Sequence, residues 1–425
     1  MPPHAAPEDG TTLLPKSPIR DESDPCNRRA VLRLGTAAAL GLAAGCALRA
    51  PAGGGADPSA SDATPPASGG TTSACGRLSL IGETTLPHRL TFNGTTVGGL
   101  SGLDFDPARE LWYALSDDRS DLQPARFYTL RLSLGTPGTL MPELLDVVTL
   151  RQPGGTPFPR RQRAADGARP PGDVIADPES IRWRADTSTL LWTSEGDARL
   201  GLPPFIREMR PDGTHLRELS LPPMLRFDLA GQIGPRDNLT LEGLALTPDG
   251  RSAWAAMEGP LVQDGPVPAV GQPGGPCRLT RWELASGRAV QQFAYRPDAI
   301  PQPSVPVGAA ADNGISEILM LDAHRMLVLE RAYMTGVGNS LRLYQVDTRG
   351  AADTLAQASL APGAPAVRKR LVADFGTLGL SRLDNTEGMA WGPPRANGAR
   401  TLVVVSDDNF NPRQVTQFAA FEFTE

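Results

Sequence analysis

Residues 179–195 read ESIRWRADTSTLLWTSE. An acidic residue opens this stretch, two short apolar runs flank a polar turn, and a second acidic residue closes it. The same pattern occurs five times, and its copies begin at Ser101, Glu179, Glu242, Glu317 and Glu387. A repeat of roughly 60–80 residues predicts a quasi-symmetric architecture in which each copy is one structural unit.

Each repeat contains short apolar runs separated by turn residues, which is typical of β-strands. In the first repeat these runs are residues 102–105, 111–115, 127–134 and 144–150. The last repeat has only three runs, but residues 77–81 near the other end of the chain supply a fourth. Pairing the two ends in one sheet closes a ring and protects its edge.

The sequence therefore predicts an all-β fold, a β-propeller of four-stranded blades that an N-terminal strand closes. Five blades are counted. A sixth is possible if the long connection at residues 347–372 contains a further pair of strands.

The N-terminal residues have the pattern of an export signal. Arg28 and Arg29 precede an apolar stretch at residues 34–44, which is too short for a permanent membrane span and matches the apolar region of a twin-arginine signal. The following residues resemble a lipoprotein processing site, which would leave Cys46 as a lipidated first residue. Cleavage without lipid is the alternative.

Three segments are expected from this pattern. Residues 1–46 form the export signal with its lipoprotein site, and residues 47–74 are too rich in Ala, Pro, Gly, Ser and Thr to fold, so they predict a disordered tether. Residues 75–425 form the propeller domain. The expected location is the periplasm or the cell envelope, and the only expected membrane contact is the lipid on Cys46.

Composition limits the classes of partner. The formal net charge is −6, which does not favour a nucleic-acid surface. The chain has no Gly-rich phosphate loop before a lysine and no Gly-x-Ser-x-Gly motif of a serine hydrolase. We expect a monomer that acts on a small-molecule ester or phosphoester. Cys75 and Cys277 are expected to be unpaired thiols, although export permits a disulfide.

The repeats place acidic residues at equivalent positions. In a four-stranded blade the first strand lines the central channel and the second runs antiparallel to it, so the start of one and the end of the other lie together. Each repeat is thus expected to bring its acids to one mouth of the channel. The acids expected there are Asp117, Asp118, Glu179, Glu195, Glu242, Glu258, Glu317, Glu330, Glu387, Asp407 and Asp408.

The negative charge of such a cluster must be compensated, because each unpaired buried carboxylate costs several kcal/mol of folding stability. Protonation, arginine partners or a metal ion could provide it, and oxygen ligands on loops suit Ca²⁺. The expected metal ligands are Asp117, Asp118, Glu179, Glu242, Glu317, Glu387, Asp407 and Asp408. The alternative is that these acids only cap turns or bond to the backbone of a neighbouring blade.

Basic residues near the same mouth are also candidates. Arg119, Arg182 and Arg331 could pair with the acids or hold an anionic ligand. His88 precedes the first blade on the acidic side and is the one histidine considered for proton transfer. A role as an ordinary surface-loop residue is its alternative.

Several motifs, taken in their order and spacing, resemble a known family. They are Ser116-Asp117-Asp118-Arg119, Asp177-Pro178-Glu179-Ser180-Ile181, Asn313-Gly314-Ile315-Ser316-Glu317, Leu329-Glu330-Arg331, Asp384-Asn385-Thr386-Glu387-Gly388 and Ser406-Asp407-Asp408-Asn409. The chain resembles the esterase-like activity of phytase (phytase-like) domain family of exported bacterial β-propeller proteins. The resemblance implies a propeller related to calcium-dependent phytases, and it suggests phosphoester hydrolysis.

Three functions are considered. The first is a Ca²⁺-dependent phosphoesterase with Glu179, Arg119 and Arg331 as catalytic residues, in which metal polarises the phosphoryl group and the arginines offset developing charge. The second is a Ca²⁺-dependent lactonase or carboxylesterase, for which Asn238, Asn313 and Asn385 would add amide ligands. The third is a non-enzymatic envelope propeller that binds a partner or a glycan and holds metal for structure alone.

Overall fold

A computed structural model describes residues 76–134, 138–161, 174–228 and 230–425. The predicted export signal, the lipid site at Cys46, the tether and Cys75 lie outside the described residues. Within the described part of the chain, no helix is both long enough and apolar enough to cross a membrane.

The described residues form a ring of five four-stranded antiparallel blades. The chain begins with β1 (Arg77–Thr85) and a small hairpin, β2 (Thr91–Phe92) and β3 (Thr95–Thr96). Blade 1 contains β4 (Leu100–Asp106), β5 (Leu111–Ser116), β6 (Arg126–Leu134) and β7 (Gly138–Thr149). Blade 2 contains β8 (Pro178–Arg184), β9 (Thr189–Ser194), β10 (Phe205–Met209) and β11 (His215–Glu218).

The remaining three blades follow in chain order. Blade 3 contains β12 (Leu241–Leu246), β13 (Ser252–Met257), β14 (Cys277–Glu283) and β15 (Arg288–Tyr295). Blade 4 contains β16 (Ala311–Met320), β17 (Arg325–Met334), β18 (Gly338–Asp347) and β19 (Arg368–Asp374). Blade 5 contains β20 (Thr386–Trp391), β21 (Arg400–Ser406) and β22 (Gln417–Thr424). Short 3₁₀ turns occur at Ala198–Leu200, Pro223–Leu225, Val262–Asp264 and Phe375–Thr377.

The ring closes through its two ends, as predicted. Strand β1 pairs antiparallel with β22, from Arg77 opposite Thr424 to Thr85 opposite Gln417, and so becomes the fourth strand of blade 5. A short parallel contact between β1 and β7 joins this blade to blade 1. Residues 348–367 contain no strand, which leaves five blades.

Each interface between neighbouring blades is a separate apolar core. The tryptophans of the second strands, Trp112, Trp192 and Trp254, are at most 2% exposed and belong to three of these cores. Large aromatic side chains of this kind contribute most of the buried area in such packing. The cores hold the blades in a ring and leave the first strands, β4, β8, β12, β16 and β20, around the central channel.

The channel is filled at its middle by one side chain, Arg182 of β8. Its guanidinium group donates hydrogen bonds of 2.5 to 3.2 Å to one backbone carbonyl of every blade, those of Leu103, Ile181, Leu244, Ile318 and Met389. An arginine suits this position because its five N–H donors lie in a fixed plane. The Glu317 carboxylate balances its charge at 2.8 Å.

Candidate functional site

Every first strand carries a β-bulge at the same point. The shifts in strand register place Ser101, Glu179, Glu242, Ser316 and Glu387 in these bulges. A bulge leaves one residue unpaired in the ladder and re-aims its side chain. Three of the five side chains aimed in this way are glutamates.

Small residues after the bulges let the first strands approach closely. A Cβ atom on Gly102 would lie 2.9 Å from backbone atoms of blade 2, and one on Gly388 would lie 3.1 Å from the Ser101 carbonyl oxygen. Glycine therefore permits a ring narrow enough to bring the bulged side chains together.

The end of each second strand supplies the other acids. The backbone N–H groups of Asp117, Glu195, Glu258 and Asp407 donate to the carbonyls two residues before the bulges, at 2.7 to 3.0 Å. This repeated hydrogen bond shows that the four acids occupy equivalent positions. In blade 4 the equivalent residue is Arg331, which lies opposite Gly314 in the strand ladder.

These residues form one group, called here the carboxylate cup. Its members are Asp117, Asp177, Glu179, Glu195, Glu242, Glu258, Glu387 and Asp407. Two subsets have carboxylate oxygens within 4.8 Å of one another, namely Asp117 with Asp177 and Glu179, and Glu179 with Glu195 and Glu242. Glu179 belongs to both, so it lies at the centre of the possible ligand set.

Electrostatic strain in the cup appears as raised pKa values. Burial, followed by repulsion from Asp177 and Glu258, raises the pKa of Glu195 to about 8. Burial raises the pKa of Asp177 to about 6, although Arg119 opposes the shift. Burial and neighbouring carboxylates also raise the pKa values of Asp117, Glu179 and Glu242 well above their usual range.

Two of these carboxylates have no direct partner, and a third is only partly paired. Glu179 and Glu242 are 6% and 4% exposed, and neither carboxylate has a hydrogen bond or ion pair with any described residue. Oε2 of Glu387 is buried and also lacks a hydrogen bond, while its Oε1 accepts from the Asn385 side chain at 2.9 Å. Buried carboxylates in this state are costly unless a cation or a proton joins them.

Two arginines border the cup and are already engaged. Arg119 donates to Asp177 Oδ1 at 2.6 Å and to the Asn238 side-chain oxygen at 2.6 Å. Arg331 donates to Glu258 Oε1 at 3.0 Å and lies 3.4 Å from Glu387 Oε1. Both residues therefore lie where the sequence predicts them, beside the acids.

The structure gives Glu317 a different role from the metal ligand that the sequence predicts. Its carboxylate accepts hydrogen bonds from Ser180 Oγ and from the backbone N–H groups of Leu244 and Ile318, besides the ion pair with Arg182. Four donors occupy its oxygens. Glu317 therefore holds Arg182 in the channel. The residue of blade 4 that occupies the bulge is Ser316.

Asp118, also a predicted ligand, organises a surface loop. Its two oxygens accept from the backbone N–H groups of residues 121, 122 and 123, and Arg126 pairs with it at 2.7 Å. Four donors again occupy one carboxylate, which leaves it unsuited to a metal ion.

Asp408 also departs from its predicted position among the ligands. Its Oδ1 accepts from the backbone N–H groups of Gly99 and Phe410 at 2.9 and 3.1 Å. Its Oδ2 lies 3.6 Å from His88 Nδ1. His88 therefore lies beside this loop acid, and the carboxylate cup does not include it.

Glu330 was expected at the mouth but faces away from the cup. It accepts hydrogen bonds from the Tyr295 hydroxyl, the Asn313 side chain and Lys369. A separate cluster on blades 3 and 4 thus contains the lysine nearest to the site.

Cys277 is buried, and its thiol is free.

Asp177 is the member of the cup that was not expected at the channel mouth, whereas Glu195 and Glu258 were expected there but not as metal ligands. Asp177 lies two residues before the bulged Glu179, as Asn385 lies two residues before Glu387. That repeated offset was the signal available in the sequence.

The ligand set fits a hard cation with flexible coordination. Carboxylate oxygens from three blades converge on Glu179, and Ca²⁺ accepts ~6–8 oxygen ligands at ~2.3–2.6 Å. No histidine or cysteine belongs to the cup, which disfavours zinc.

Comparisons with known proteins agree with the repeat pattern. A model of the Phytase-like family, described as "Esterase-like activity of phytase", matches residues 95–410. No curated protein matches the chain.

Several solved structures resemble the propeller weakly. A catalytic domain of a GH62 α-L-arabinofuranosidase from Coprinopsis cinerea is 10% identical, with 82% of this chain and 97% of that chain covered and a TM-score of 0.39. A gluconolactonase from Xanthomonas campestris is 12% identical, with 82% and 96% covered and a TM-score of 0.34. Hydrazine synthase from Kuenenia stuttgartiensis is 13% identical, with 75% and 80% covered and a TM-score of 0.35. Similarities of this size do not bear on activity or ligands.

Proposed function

This chain belongs to the Phytase-like family, and on that basis we propose that it is a Ca²⁺-dependent hydrolase of ester bonds. The reaction takes place at the carboxylate cup, and phosphoesters are the first class of substrate to test. The family's description as esterase-like supports the reaction type. The composition of the cup supports the choice of metal.

One observation carries the proposal. Glu179 and Glu242 are buried, approach each other, and have no hydrogen bond or ion pair with a described residue, although the charge of Arg331 partly opposes the raised pKa of Glu242. A folded protein that holds such a pair without compensation loses stability. A bound cation would remove that cost, and the same carboxylates would then act as its ligands.

The proposed ligands of the ion come from blades 1, 2 and 3. They are Asp117, Asp177, Glu179, Glu195 and Glu242. When bound, Ca²⁺ would polarise the ester oxygen and lower the pKa of a coordinated water. Oε1 of Glu195 accepts from the Thr240 N–H at 2.6 Å, so a proton on this residue lies on Oε2. Loading the site would release that proton.

Arg119 and Arg331 lie beside the carboxylates of the cup, where negative charge would develop on a substrate. Each arginine is held in place by carboxylates of other blades. Preorganised cations of this kind stabilise a transition state without moving. They are the residues proposed for charge stabilisation.

A carboxylic ester or lactone is the second candidate substrate. The engagement of both arginines by carboxylates favours it, since an anionic phosphoester would have to compete for them. A neutral ester carbonyl would need only the ion and one donor.

Turnover of a substrate panel tests the proposal. We expect the full chain to hydrolyse an aryl phosphate or an aryl ester with Ca²⁺ present, and chelator to remove the activity. Glu179→Gln should lower kcat/KM at least about 100-fold because it removes the central ligand. Glu143→Gln changes an exposed acid on β7 and serves as the matched control.

Two results would contradict the proposal. One is the absence of chelator-sensitive turnover on every phosphoester, ester and lactone tested. The other is equal activity of Glu179→Gln and the wild type. Either result would favour a binding protein in which the metal only stabilises the fold.

The proposed setting is the cell envelope. The twin-arginine pattern at Arg28 and Arg29 and the processing site at Cys46 support export and lipid attachment. In this setting a monomeric domain would act on small molecules, without nucleic acid. Cys46→Ser should release the protein from the membrane fraction if the lipid is its anchor.

A further inference from the structure

Blade 4 differs from the other four blades in the side chains that it presents to the carboxylate cup. Each of the others contributes at least one acid, whereas the equivalent positions of blade 4 hold Ser316, in the bulge, and Arg331, on the second strand. These two residues are 3% and 1% exposed. A serine hydroxyl and a guanidinium group both donate hydrogen bonds, so blade 4 places donors beside a group of acceptors.

The contacts of Arg182 fix the position of Ser316 in the ring. In all five blades, the residue two places after the bulged one accepts a hydrogen bond from Arg182 through its carbonyl, and in blade 4 this residue is Ile318. Ser316 therefore occupies the point that a glutamate occupies in three other blades, at Glu179, Glu242 and Glu387.

Direct contacts join this part of blade 4 to the cup. The N–H of Ile315, which precedes Ser316, donates to the Glu258 carbonyl at 3.1 Å. Arg331, on the neighbouring strand, donates to Glu258 Oε1 at 3.0 Å and lies 3.4 Å from Glu387 Oε1. The bulge of blade 4 thus contacts the cup through blade 3, and Arg331 reaches acids of blades 3 and 5.

The hydroxyl of Ser316 has no hydrogen-bond partner among the described residues. The other bulged serine, Ser101 of blade 1, is 2% exposed and donates to the Pro178 carbonyl of the next blade at 3.1 Å. Buried hydroxyl groups are nearly always hydrogen-bonded in folded proteins, so an exception requires an explanation. The Ser101 hydroxyl joins two blades, whereas the Ser316 hydroxyl is available to a ligand.

The charge of the cup determines which ligand group would meet this hydroxyl. The acids of blades 1, 2 and 3 repel electron-rich oxygen atoms unless a cation lies among them. Substrate oxygens that do not bind the cation are best stabilised by donors that are already in place. Blade 4 offers such donors and adds no carboxylate of its own to the cup.

We propose that Ser316 is a substrate-binding residue whose hydroxyl donates a hydrogen bond to an oxygen atom of the bound ester or phosphoester group. This inference rests on the proposed function and adds the side of the cup on which the substrate lies. The substrate lies against blade 4, near Arg331, and the ion lies among the acids of blades 1, 2 and 3. An uncharged donor of this kind serves a phosphoester oxygen and an ester carbonyl alike.

Binding of methylphosphonate to the full chain with Ca²⁺ tests this role without requiring turnover. We expect Ser316→Ala to weaken binding at least about tenfold in isothermal calorimetry, because a hydrogen bond to a charged oxygen is lost. The affinity of this variant for Ca²⁺ should stay within about twofold of the wild type. Ser101→Ala, at the matched serine of blade 1, should change neither affinity.

Thermal melting separates this role from a structural one. Ser316→Ala removes a hydroxyl that has no partner, so its melting temperature without ligand should equal or exceed that of the wild type. Ser101→Ala removes a hydrogen bond between blades, so its melting temperature should fall.

Several results would overturn the inference. They are equal methylphosphonate affinity in folded Ser316→Ala and the wild type, no methylphosphonate binding by the Ca²⁺-loaded wild type, and a melting temperature of Ser316→Ala that falls as far as that of Ser101→Ala. Weaker Ca²⁺ binding by Ser316→Ala would do so too, because the hydroxyl would then be a metal ligand.

The same measurements distinguish this inference from the proposed function. Methylphosphonate binding that depends on Ser316, without hydrolysis of any substrate, would refute the proposed function and leave the inference standing. Hydrolysis with equal kcat/KM and equal methylphosphonate affinity in Ser316→Ala and the wild type would do the reverse.

Discussion

At the residue scale, the chemistry of this molecule depends on carboxylates that share a small volume. Glu179 and Glu242 lie together without an ion pair to any described residue, and the pKa of each is raised by burial and by its acidic neighbours, with Arg331 opposing part of the shift at Glu242. The two arginines beside the cup are engaged by Asp177 and Glu258. A bound cation is the simplest way to make this arrangement stable near neutral pH.

The raised pKa values give the metal-free protein an unusual pH dependence. A carboxyl group whose pKa is higher in the folded state stabilises the fold below its unfolded pKa, and this contribution is lost as the pH rises through the folded value. The pKa of Asp177 rises from 3.8 to about 6 and that of Glu195 from 4.5 to about 8, so we expect the melting temperature in chelator to fall between about pH 4 and 8. Calorimetric melting across this range measures it.

Calcium should remove that dependence, because a bound cation favours the ionised carboxylates. A melting temperature in chelator that stays constant or rises with pH would mean that the cup acids are compensated within the protein.

The positions of two acids in blade 4 show what the sequence pattern cannot determine. Glu317 and Glu330 fit the repeat by residue type, yet the structure places Ser316 and Arg331 at the equivalent points. Side chains alternate faces along a strand, so a shift of one residue sends each acid to the opposite side. Register depends on cross-strand hydrogen bonds, which the repeat pattern does not specify.

At the element scale, the first strands hold the site through one arginine. Arg182 contacts a carbonyl of every blade, and it is the one side chain in the described chain that does so. The sequence predicted an acid partner or a ligand contact for this residue. Its role in joining backbones was not predictable, because five carbonyls converge only after the ring has closed.

Replacing this arginine should strongly destabilise the fold. Arg182→Met leaves Glu317 as an unpaired buried charge, and breaking a buried pair on one side costs about 3–5 kcal/mol. Adding Glu317→Gln should recover part of the loss. Urea unfolding monitored by tryptophan fluorescence measures both effects.

A half-exposed ion pair provides the comparison. Arg217 is 35% exposed and pairs with Glu208, and Arg217→Met should cost at most about 1 kcal/mol. Equal losses for Arg182→Met and Arg217→Met would refute the central role of Arg182.

Strand positions were easier to predict than strand ends. The apolar runs at residues 102–105 and 111–115 lie inside β4 and β5. The run at 144–150 marks only the second half of β7, which begins at Gly138. The first half of β7 lacks apolar alternation, and its pairing with β6, together with the short contact with β1 at Gly138 and Thr139, defines the strand there.

At the scale of the whole molecule, the fold was predictable because its repeat is visible in the sequence. Five similar units, with the fourth strand of the last one supplied by the N-terminal end, account for every blade. The carboxylate cup follows from that symmetry, whereas its exact membership does not. Blade 4 breaks the symmetry by presenting Arg331, and blade 2 adds Asp177.

Ring closure predicts a sharp boundary for truncation. A chain that begins at residue 76 keeps β1, and we expect it to melt cooperatively. A chain that begins at residue 86 loses this strand and the buried Leu78, which leaves the edge of β22 open. We expect its melting temperature to fall by about 10 °C or more.

A peptide with the sequence of residues 77–85 should restore part of the loss by adding to the open edge. If both truncated chains melt at the same temperature, closure by β1 does not stabilise the ring.

Calcium titration of the full chain by isothermal calorimetry tests the central claim most directly. We expect saturable binding with Kd on the order of 10⁻⁷–10⁻⁵ M, release of protons on binding, and at least about tenfold weaker binding by Glu179→Gln, while Glu143→Gln binds as the wild type does. Absence of Ca²⁺ binding by the folded wild type, or unchanged binding by Glu179→Gln, would contradict the claim that the carboxylate cup is a cation site.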